Sequence, residues 1–299
     1  MGGSGMASRE YEHHYAHTNG IRLHYVAVGA GRPVVLLHGF PETHRSWDLQ
    51  LPFLAERGFR AIAPDLRGYG ESDRPRRGYD LGSLADDVAG LIDGVCGGKA
   101  ALVGHDWGGA IAWHAAARHA ARLETAVAID CPHPAAMARA LLTNRRQLRR
   151  SWYMFFFQLP VVPALWLARN DGANLGAMWR TDAEPSELVR AERAAVARVG
   201  SLAGPLAYYR TAFRQNASSL ITGRSRYEDA ASRVPVTLIW GAEDRCLGVE
   251  LMAGHERYAQ QLRTHVVPGA GHFVHQEKPA ELNALLFHAL TVAPSDPAC

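Results

Sequence analysis

Short, mostly apolar runs alternate with helix-like stretches along the first half of the chain. Each run is rich in β-branched or small apolar residues and ends near a turn signal such as Gly or Pro. Runs of this length indicate strands that are buried on both faces, and their alternation with helices predicts a mostly parallel sheet flanked by helices. The predicted strands lie at 33–37 (PVVLL), 59–64 (FRAIAP), 99–103 (KAALV), 125–129 (TAVAI), 234–240 (VPVTLIW) and 264–267 (THVV).

The pattern changes between about Cys131 and Gly223, where the sequence becomes helical and rich in aromatic residues. Strand patterns resume afterwards, so we interpret this segment as a helical cap inserted into an α/β core. The predicted core comprises 9–131 and 224–299, and the predicted cap comprises 132–223. Residues 1–8 are assigned to a tag (MGGSG) and a disordered N-terminus. The aromatic residues of the segment are Trp152, Tyr153, Phe155, Phe156, Phe157, Trp166, Trp179, Tyr208, Tyr209 and Phe213.

The composition is that of an ordinary globular protein, since 47% of the 299 residues are hydrophobic and 20% are charged. The formal net charge of +3 gives no support for nucleic acid or an anionic membrane as a partner. The paired arginines at 145–146 and 149–150 are interpreted as one solvated helix face. No apolar run reaches the length of a membrane span and no signal peptide is recognisable, so we expect a soluble, cytoplasmic protein. A homodimer is compatible with the sequence.

The cysteine and histidine residues show none of the spacings that are typical of metal sites. Cys96, Cys131, Cys246 and Cys299 are scattered without a CxxC pair, which indicates free thiols in a reducing compartment. The 15 histidines include no HExxH motif and no Cys/His cluster at ligand spacing. We therefore predict neither a metal ion nor another cofactor.

The strongest chemical signal is the pentapeptide at 104–108 (GHDWG), which follows a predicted strand and precedes an Ala-rich helix. This is the shape of a nucleophile elbow, a strand-to-helix turn whose glycines let one side chain project. Asp106 occupies the nucleophile position, where serine is usual. A carboxylate attacks without a base and forms an ester, which suits displacement at saturated carbon in an epoxide or an alkyl halide. The alternative role for Asp106 is a helix N-cap, and the flanking glycines favour the nucleophile.

Hydrolysis of such an ester requires a base that activates water and an anion that orients the base. His272 lies in a glycine-bracketed loop after the last predicted strand, and Asp244 follows the strand before it. Both are expected at the carboxyl edge of the sheet, where the sites of α/β proteins form. The tetrahedral oxyanion requires preorganised donors. We predict the backbone N–H groups of Trp107, next to the nucleophile, and of Phe40, in the turn at 38–41 (HGFP).

Four motifs together resemble those of the soluble epoxide hydrolases of the α/β-hydrolase superfamily: HGFP at 38–41, DLRGYG at 65–70, GHDWGG at 104–109 and GH at 271–272. The resemblance covers nearly all of the chain after the tag. It implies an α/β-hydrolase fold with an inserted helical cap, and conversion of an epoxide to a vicinal diol. The implied partners are a small hydrophobic epoxide and water, with no nucleic acid and no membrane.

The resemblance also implies two cap tyrosines whose hydroxyl groups hold the epoxide oxygen and protonate it as the ring opens. Tyr153, in the sequence WYMFFFQ, matches the position of one of them, and Tyr209, directly before Arg210, matches the other. Two phenols make chemical sense because an alkoxide is a poor leaving group and a positioned acid compensates for this.

Two alternative functions use the same fold. A haloalkane or haloacid dehalogenase would employ the same nucleophile, base and acid and would not need the tyrosine hydroxyls. Phe40 stands where haloalkane dehalogenases usually carry a halide donor, and Trp107 stands where fluoroacetate dehalogenases carry arginine. A non-catalytic binding protein would keep the pocket but has no need of a base. Asp130, after the fourth predicted strand, is the alternative to Asp244 as the acid that orients His272.

Overall fold

The computed structural model describes residues 11–292, except for 171, 179–186, 199, 223–224, 226 and 228–230. The predicted tag and N-terminal segment (1–8), Trp179, Cys299 and the predicted cap boundary at 223 lie outside the described residues. One eight-stranded sheet with helices on both faces forms the core of the described part. Its strands are β1 (His13–Thr18), β2 (Ile21–Val28), β3 (Arg32–Leu37), β4 (Phe59–Pro64), β5 (Ala100–His105), β6 (Leu123–Ile129), β7 (Val236–Gly241) and β8 (Leu262–Val267).

The helices fall into two groups, those that flank the sheet and those that lie between β6 and β7. The flanking helices are α1 (Leu51–Ala55), α2 (Leu81–Val95), α3 (Trp107–Arg118), α11 (Val274–Glu277) and α12 (Pro279–Thr291). The others are α4 (Pro134–Thr143), α5 (Arg145–Arg150), α6 (Trp152–Phe156), α7 (Val162–Ala168), α8 (Ala173–Met178), α9 (Glu187–Val196) and α10 (Ala203–Thr222). We call α4 to α10 the cap helices.

The strand order is β1-β2-β4-β3-β5-β6-β7-β8, and every neighbouring pair from β4 to β8 is parallel. The prediction of a mostly parallel α/β sheet is confirmed. The six predicted strands correspond to β3 to β8, and their ends differ from the observed ones by no more than two residues. The two antiparallel strands β1 and β2 did not follow from the apolar pattern, because β1 is an edge strand of alternating exposed and partly buried residues.

Alternate residues of the central strands pack into two separate hydrophobic layers. In β3, Val35 and Leu37 pack against the layer that contains α2 and α3, whereas Val34 and Leu36 pack against the layer that contains α1 and α12. All four side chains are fully buried. Full burial of one such side chain contributes about 1.5–3 kcal/mol, so the central strands form a rigid base for the loops at their carboxyl ends.

The cap helices cover the carboxyl edge of the sheet and are tied to core loops by hydrogen bonds between buried groups. The Tyr208 hydroxyl donates to the carbonyl of Arg67 at 2.8 Å, and the Gln147 amide donates to the carbonyl of Cys246 at 2.9 Å. Among the described helices, none combines the length and apolar character that crossing a bilayer requires.

Candidate active site

Asp106 projects from a tight turn between β5 and α3. Its backbone has φ 50° and ψ −117°, a conformation that costs a residue other than glycine about 1–3 kcal/mol. The turn is tight because the strand and the helix approach closely. A Cβ on Gly108 would lie 2.2 Å from the carbonyl oxygen of Leu37, and a Cβ on Gly104 would lie 2.1 Å from that of Gly108. The two glycines therefore permit the turn that presents Asp106 at the carboxyl end of a central strand.

His272 and Asp244 lie beside Asp106 although the sequence places all three on separate loops. His272 Nδ1 is 2.8 Å from Asp244 Oδ2, and His272 Nε2 faces Asp106 Oδ2 at 3.8 Å. The other oxygen of Asp244, Oδ1, accepts hydrogen bonds from the backbone N–H groups of Cys246 at 2.7 Å and Leu247 at 2.9 Å. These bonds fix the carboxylate and leave Oδ2 to orient the imidazole.

Two opposing influences set the pKa of His272. Burial alone lowers the pKa, because the imidazolium loses its hydration. The negative charge of Asp244 and the facing carboxylate of Asp106 outweigh burial and raise the pKa of His272 well above its usual value. The environment of His272 therefore favours the imidazolium form of its ring.

Asp130, the other acid considered for this role, is buried behind the pair. Its Oδ1 accepts a hydrogen bond from the N–H of Gly241 at 2.7 Å, and its Oδ2 has no hydrogen-bond partner among the described residues. Burial, followed by the negative charge of Asp244, raises the pKa of Asp130 well above its usual value and so favours the uncharged form of this carboxyl. Of the two acids, Asp244 is the one whose carboxylate contacts His272.

Backbone donors lie beside the Asp106 carboxylate. The N–H of Phe40 donates to Asp106 Oδ1 at 2.8 Å, and Trp107 is the first residue of α3, where N–H groups have no partner within the helix. The turn that carries Phe40 is anchored by His38, whose Nε2 accepts a hydrogen bond from the N–H of Leu66 at 3.0 Å. The structure therefore joins the motif at 38–41 to the one at 65–70.

The two tyrosines singled out in the sequence come together above the nucleophile. The rings of Tyr153 and Tyr209 are 5.9 Å apart, and Tyr209 packs edge-on against Phe40 at 5.4 Å and Trp107 at 5.1 Å. Burial raises the pKa of both phenols well above the usual value, and the charge of Asp106 adds to this effect. Both hydroxyl groups therefore remain protonated and can donate.

A buried polar network behind the site was missed by the sequence analysis. Glu42 lies 3.0 Å from His105 Nδ1 through Oε2 and 2.9 Å from His275 Nε2 through Oε1. The second nitrogen of His105, Nε2, bonds the backbone carbonyl of His272 at 2.8 Å. Burial raises the pKa of Glu42, but the two histidines outweigh burial and hold it well below its usual range. The network supports the backbone that carries His272.

Sequence position is the signal that could have pointed to this network. Glu42 directly follows the turn at 38–41, and His105 directly precedes Asp106. A charged residue and a histidine next to two chemical motifs are candidates for buried partners, because buried polar groups require hydrogen bonds. The sequence does not show that Glu42 and His105 lie close together. They do so because β3 and β5 are neighbouring strands in the sheet.

The site opens into a cavity of about 200 Å³ between the core and the cap helices. Apolar side chains dominate its wall, including Met137 and Leu141 of α4 and Met154 and Phe155 of α6. A mostly apolar cavity with a few convergent polar groups is the usual form of a small-molecule site. The cavity suits a small hydrophobic compound whose reactive group lies against Asp106.

The site also contains one set of atoms at metal-ligand spacing, formed by Asp244, Cys246 and His272. Metal binding requires a thiolate, whereas burial raises the pKa of the Cys246 thiol. In addition, His272 Nδ1 already bonds Asp244. The residues fit an imidazole–carboxylate pair better than a metal centre. The expectation that no metal or other cofactor is needed stays a prediction.

Several known proteins resemble this chain in sequence or in structure. The model of the family described as "Alpha/beta hydrolase family" matches residues 34–285. The AB hydrolase superfamily protein YfhM of Bacillus subtilis is 38% identical over 284 residues, which cover 92% of this chain and 96% of that protein. Epoxide hydrolase 3 of Xenopus tropicalis is 35% identical, with 90% of this chain and 74% of that protein covered. The crystal structure of Bacillus megaterium epoxide hydrolase with an inhibitor is 29% identical and superposes with a TM-score of 0.82 over 93% of this chain and 100% of that chain.

Proposed function

Since the chain belongs to the epoxide hydrolase branch of the α/β-hydrolase family, we propose that it converts epoxides to vicinal diols through a covalent ester on Asp106. The observation that carries this proposal is a carboxylate at the nucleophile elbow, facing His272 and lying beneath two phenols. A carboxylate nucleophile suits displacement at the saturated carbon of a strained ring.

In the first step, one oxygen of Asp106 forms a bond to an epoxide carbon as the ring C–O bond breaks. The electron pair of that bond passes to the ring oxygen, which takes a proton from the hydroxyl of Tyr153 or Tyr209. A donor placed where negative charge develops stabilises the transition state more than the ground state. The imidazolium of His272 then returns a proton to the tyrosine, and His272 becomes neutral.

In the second step, neutral His272 takes a proton from water, and the hydroxide formed attacks the ester carbonyl carbon. The N–H groups of Phe40 and Trp107 stabilise the oxyanion. Collapse of this intermediate breaks the ester bond and releases the diol, with Asp106 as a carboxylate and His272 as an imidazolium. Protons and charges therefore balance over the cycle, and one epoxide and one water give one diol.

The charges at the site support this order of events. While Asp106 is a carboxylate, it and Asp244 raise the pKa of His272. Formation of the ester removes the charge of Asp106, so the pKa of His272 falls when a base is needed. Asp244 continues to orient the ring through the 2.8 Å contact with Nδ1.

A single turnover in heavy-oxygen water tests the proposal. With enzyme in excess over styrene oxide, the heavy oxygen is expected in the side chain of Asp106 and only in traces in the diol. Mass spectrometry of the peptide that contains Asp106 measures the label. Label that appears only in the diol would mean that water attacks the epoxide directly, and the nucleophile assigned here would be wrong.

A further inference from the structure

A group of side chains that can bind metal lies apart from the active site, at the β1 edge of the sheet. It consists of His13 in β1, His24 in β2 and Glu71 in the loop that follows β4, and we call it the edge site. One ligand atom from each residue lies within 4.8 Å of the others. None of the three lines the active-site cavity. Of the four such groups among the described residues, the edge site is the one with members exposed to solvent.

The pairing of β1 with β2 brings the two histidines of the edge site together. The strands are antiparallel, and Tyr15 lies opposite His24. Side chains two residues apart in a strand point to the same face, so His13, Tyr15 and His24 share one face of the sheet. Diagonal neighbours on such a face are within reach of aromatic and long side chains. His13 Nδ1 is 2.7 Å from His24 Nε2, so the two nitrogens are close enough to bind one ion.

Asp65 fixes the orientation of His24 from inside the protein. His24 is fully buried, and its Nδ1 lies 2.8 Å from Asp65 Oδ2. Burial raises the pKa of Asp65, but hydrogen bonds from His24 and His44 outweigh burial and lower it well below its usual range, which favours the carboxylate. A carboxylate can only accept, so Nδ1 donates to Asp65 and the neutral ring has its lone pair at Nε2. Histidines that bind metal usually donate their other nitrogen to such a partner, which sets the tautomer and the orientation of the ring.

Glu71 supplies the third ligand, and two hydrogen bonds hold it in place. Its Oε2 accepts from the hydroxyl of Tyr15 at 2.5 Å, and its backbone N–H donates to Asp65 Oδ2 at 3.0 Å. The other carboxylate oxygen, Oε1, faces His13 Nδ1 at 3.8 Å. The hydrogen bond from Tyr15 lowers the pKa of Glu71 and so favours the carboxylate form, which metal binding requires.

The edge site is open to solvent and has room to adjust to an ion. The side chains of His13 and Glu71 are 41% and 56% exposed. Two nitrogen ligands about 2.0–2.1 Å from a tetrahedral zinc ion lie about 3.3 Å from each other. The observed 2.7 Å would therefore have to increase by roughly 0.6 Å, which a shift of the exposed His13 ring can provide. Water from the solvent side can complete the coordination.

We propose that His13, His24 and Glu71 bind one divalent transition-metal ion such as Zn²⁺, with water as a further ligand. Two imidazole ligands disfavour Mg²⁺ and Ca²⁺, which prefer oxygen ligands. The ion joins β1 and β2 to the loop after β4 and stabilises the folded chain, because these segments form no such site when the chain is unfolded. Spacing along the chain does not reveal the edge site, because strand pairing brings the ligands together. The chemistry proposed at Asp106 uses none of these residues.

Calorimetric titration of the full chain with ZnCl₂, after treatment with a chelator and its removal, tests the edge site. The unaltered protein is expected to bind one ion per chain and to show no binding of MgCl₂ at the same concentrations. His13→Gln removes a ligand at an exposed position and is expected to weaken Zn²⁺ binding about 100-fold. Glu71→Gln keeps an acceptor for Tyr15 and is expected to weaken it about 10-fold. His17→Gln is the matched control, because His17 is an exposed histidine of the same strand outside the edge site, and unchanged affinity is expected.

Thermal unfolding gives a second measurement on the same variants. Zn²⁺ is expected to raise the Tm of the unaltered protein and of His17→Gln, and to leave the Tm of His13→Gln unchanged at the same concentration. Equal Zn²⁺ affinities of the unaltered protein, His13→Gln and Glu71→Gln would overturn the proposal and show that the two histidines only bond each other. Binding that persists in His13→Gln and is lost in Cys246→Ser would place the ion at the active site and would also overturn it.

Activity separates the edge site from the proposed function. Hydrolysis of styrene oxide is expected to be the same before and after removal of metal by the chelator, because the edge site does not line the cavity. Activity that is lost with the metal and restored by Zn²⁺ would contradict a purely structural ion. If no epoxide is hydrolysed under any condition, the proposed function fails, and the Zn²⁺ affinities still decide the edge site.

Discussion

At the scale of single residues, the site is a small set of charges whose balance changes during the reaction. The carboxylate of Asp106 faces His272 at 3.8 Å, and Asp244 contacts the same ring at 2.8 Å. One imidazole therefore lies between two carboxylates, and esterification of Asp106 neutralises one of them. Asp130 is the third acid nearby, but burial raises its pKa and favours its uncharged form. The residues differ in role because their environments differ.

The difference between the two acids leads to a prediction with an internal control. Asp244→Asn is expected to slow hydrolysis of the ester roughly 10⁴-fold, because the imidazole loses its orienting anion. Asp130→Asn is expected to change this rate less than 10-fold, because the amide has nearly the shape of an uncharged carboxyl and its oxygen still accepts from Gly241. Rapid-quench measurement of the alkyl-enzyme, with His272→Gln as the variant that accumulates it, checks both rates. A larger effect at Asp130 would transfer the orienting role to that residue.

Substitution of the two cap tyrosines distinguishes an enzyme that opens epoxides from one that releases halide. In epoxide opening the negative charge develops on an oxygen that stays attached to the substrate, so a donor that strengthens with the charge is needed. Tyr153→Phe and Tyr209→Phe remove a hydroxyl and retain the ring packing. Each is expected to slow formation of the ester from an epoxide by about 10²–10⁴-fold, and the double variant is expected to be nearly inactive.

Stopped-flow tryptophan fluorescence can follow this step, and affinity for the diol product shows whether the cavity is intact. A double variant that opens epoxides at the original rate would exclude the tyrosines from the mechanism. Faster release of halide from a haloalkane than of diol from an epoxide, measured on the unaltered enzyme, would favour the dehalogenase alternative.

At the scale of secondary-structure elements, the central contact is the one between β3, β5 and the start of α3. The helix begins one residue after Asp106, so its first turn packs on the backbone of Leu37 at the end of β3. Such a close approach leaves no room for a Cβ at Gly108. The nucleophile is thereby held on rigid elements, which maintain its position better than a loop does.

Two glycine-to-alanine substitutions test this contact with opposite expected signs. Gly108→Ala would place its Cβ 2.2 Å from the carbonyl oxygen of Leu37, and a loss of about 3 kcal/mol or more in the free energy of unfolding is expected. A Cβ on Gly94, in α2, meets nothing within 4 Å, so Gly94→Ala is expected to gain up to about 1 kcal/mol from helix propensity. Urea unfolding followed by circular dichroism measures both. A stable, active Gly108→Ala variant would contradict the tight turn.

The elements also show how far a sequence can predict a fold. The strands β3 to β7 were predictable because both of their faces are largely buried, and burial on both faces leaves an uninterrupted apolar run. The edge strand β8 has exposed residues at Thr264 and Val266, and only its last four residues were predicted. The strand β1 carries three histidines, at positions 13, 14 and 17, and has exposed residues at every second position, so its pairing with β2 has no apolar signature. Edge strands are specified by their neighbours more than by their own composition.

At the scale of the whole molecule, distant segments of the chain meet in buried polar networks. Glu42 joins His275 across the sheet, and Asp65 joins His24 and His44 through its two oxygens at 2.8 Å each. The chemistry at Asp106 could be predicted because its motif is local and has a glycine two residues away on each side, at Gly104 and Gly108. These networks could not, because each one depends on contacts between residues far apart in sequence, and a single sequence contains no direct record of such contacts.

The network around His275 makes the stability of the whole protein depend on pH. His275 is fully buried, packs on Trp47 with its ring 5.0 Å away, and uses Nε2 to contact Glu42. Its Nδ1 has no hydrogen-bond partner among the described residues, so an added proton there would lack an acceptor. Burial lowers the pKa of His275 from 6.5 to about 4, and the attraction of Glu42 offsets only part of this effect.

The sign of the pH dependence follows from the lowered pKa of His275. Between pH 6.5 and about 4 the unfolded chain binds a proton at His275 and the folded protein does not. Acidification therefore favours unfolding, and His275 contributes a loss of up to about 1.4 kcal/mol per pH unit in this window. His275→Gln keeps a donor for Glu42 and removes the titration, so the slope of unfolding free energy against pH is expected to decrease by about this amount. The same substitution at His288, on the exposed side of α12, is the control and should leave the slope unchanged. Urea titrations at half-unit intervals of pH measure the slopes, and equal slopes for the unaltered protein and His275→Gln would show that His275 does not govern the loss of stability in acid.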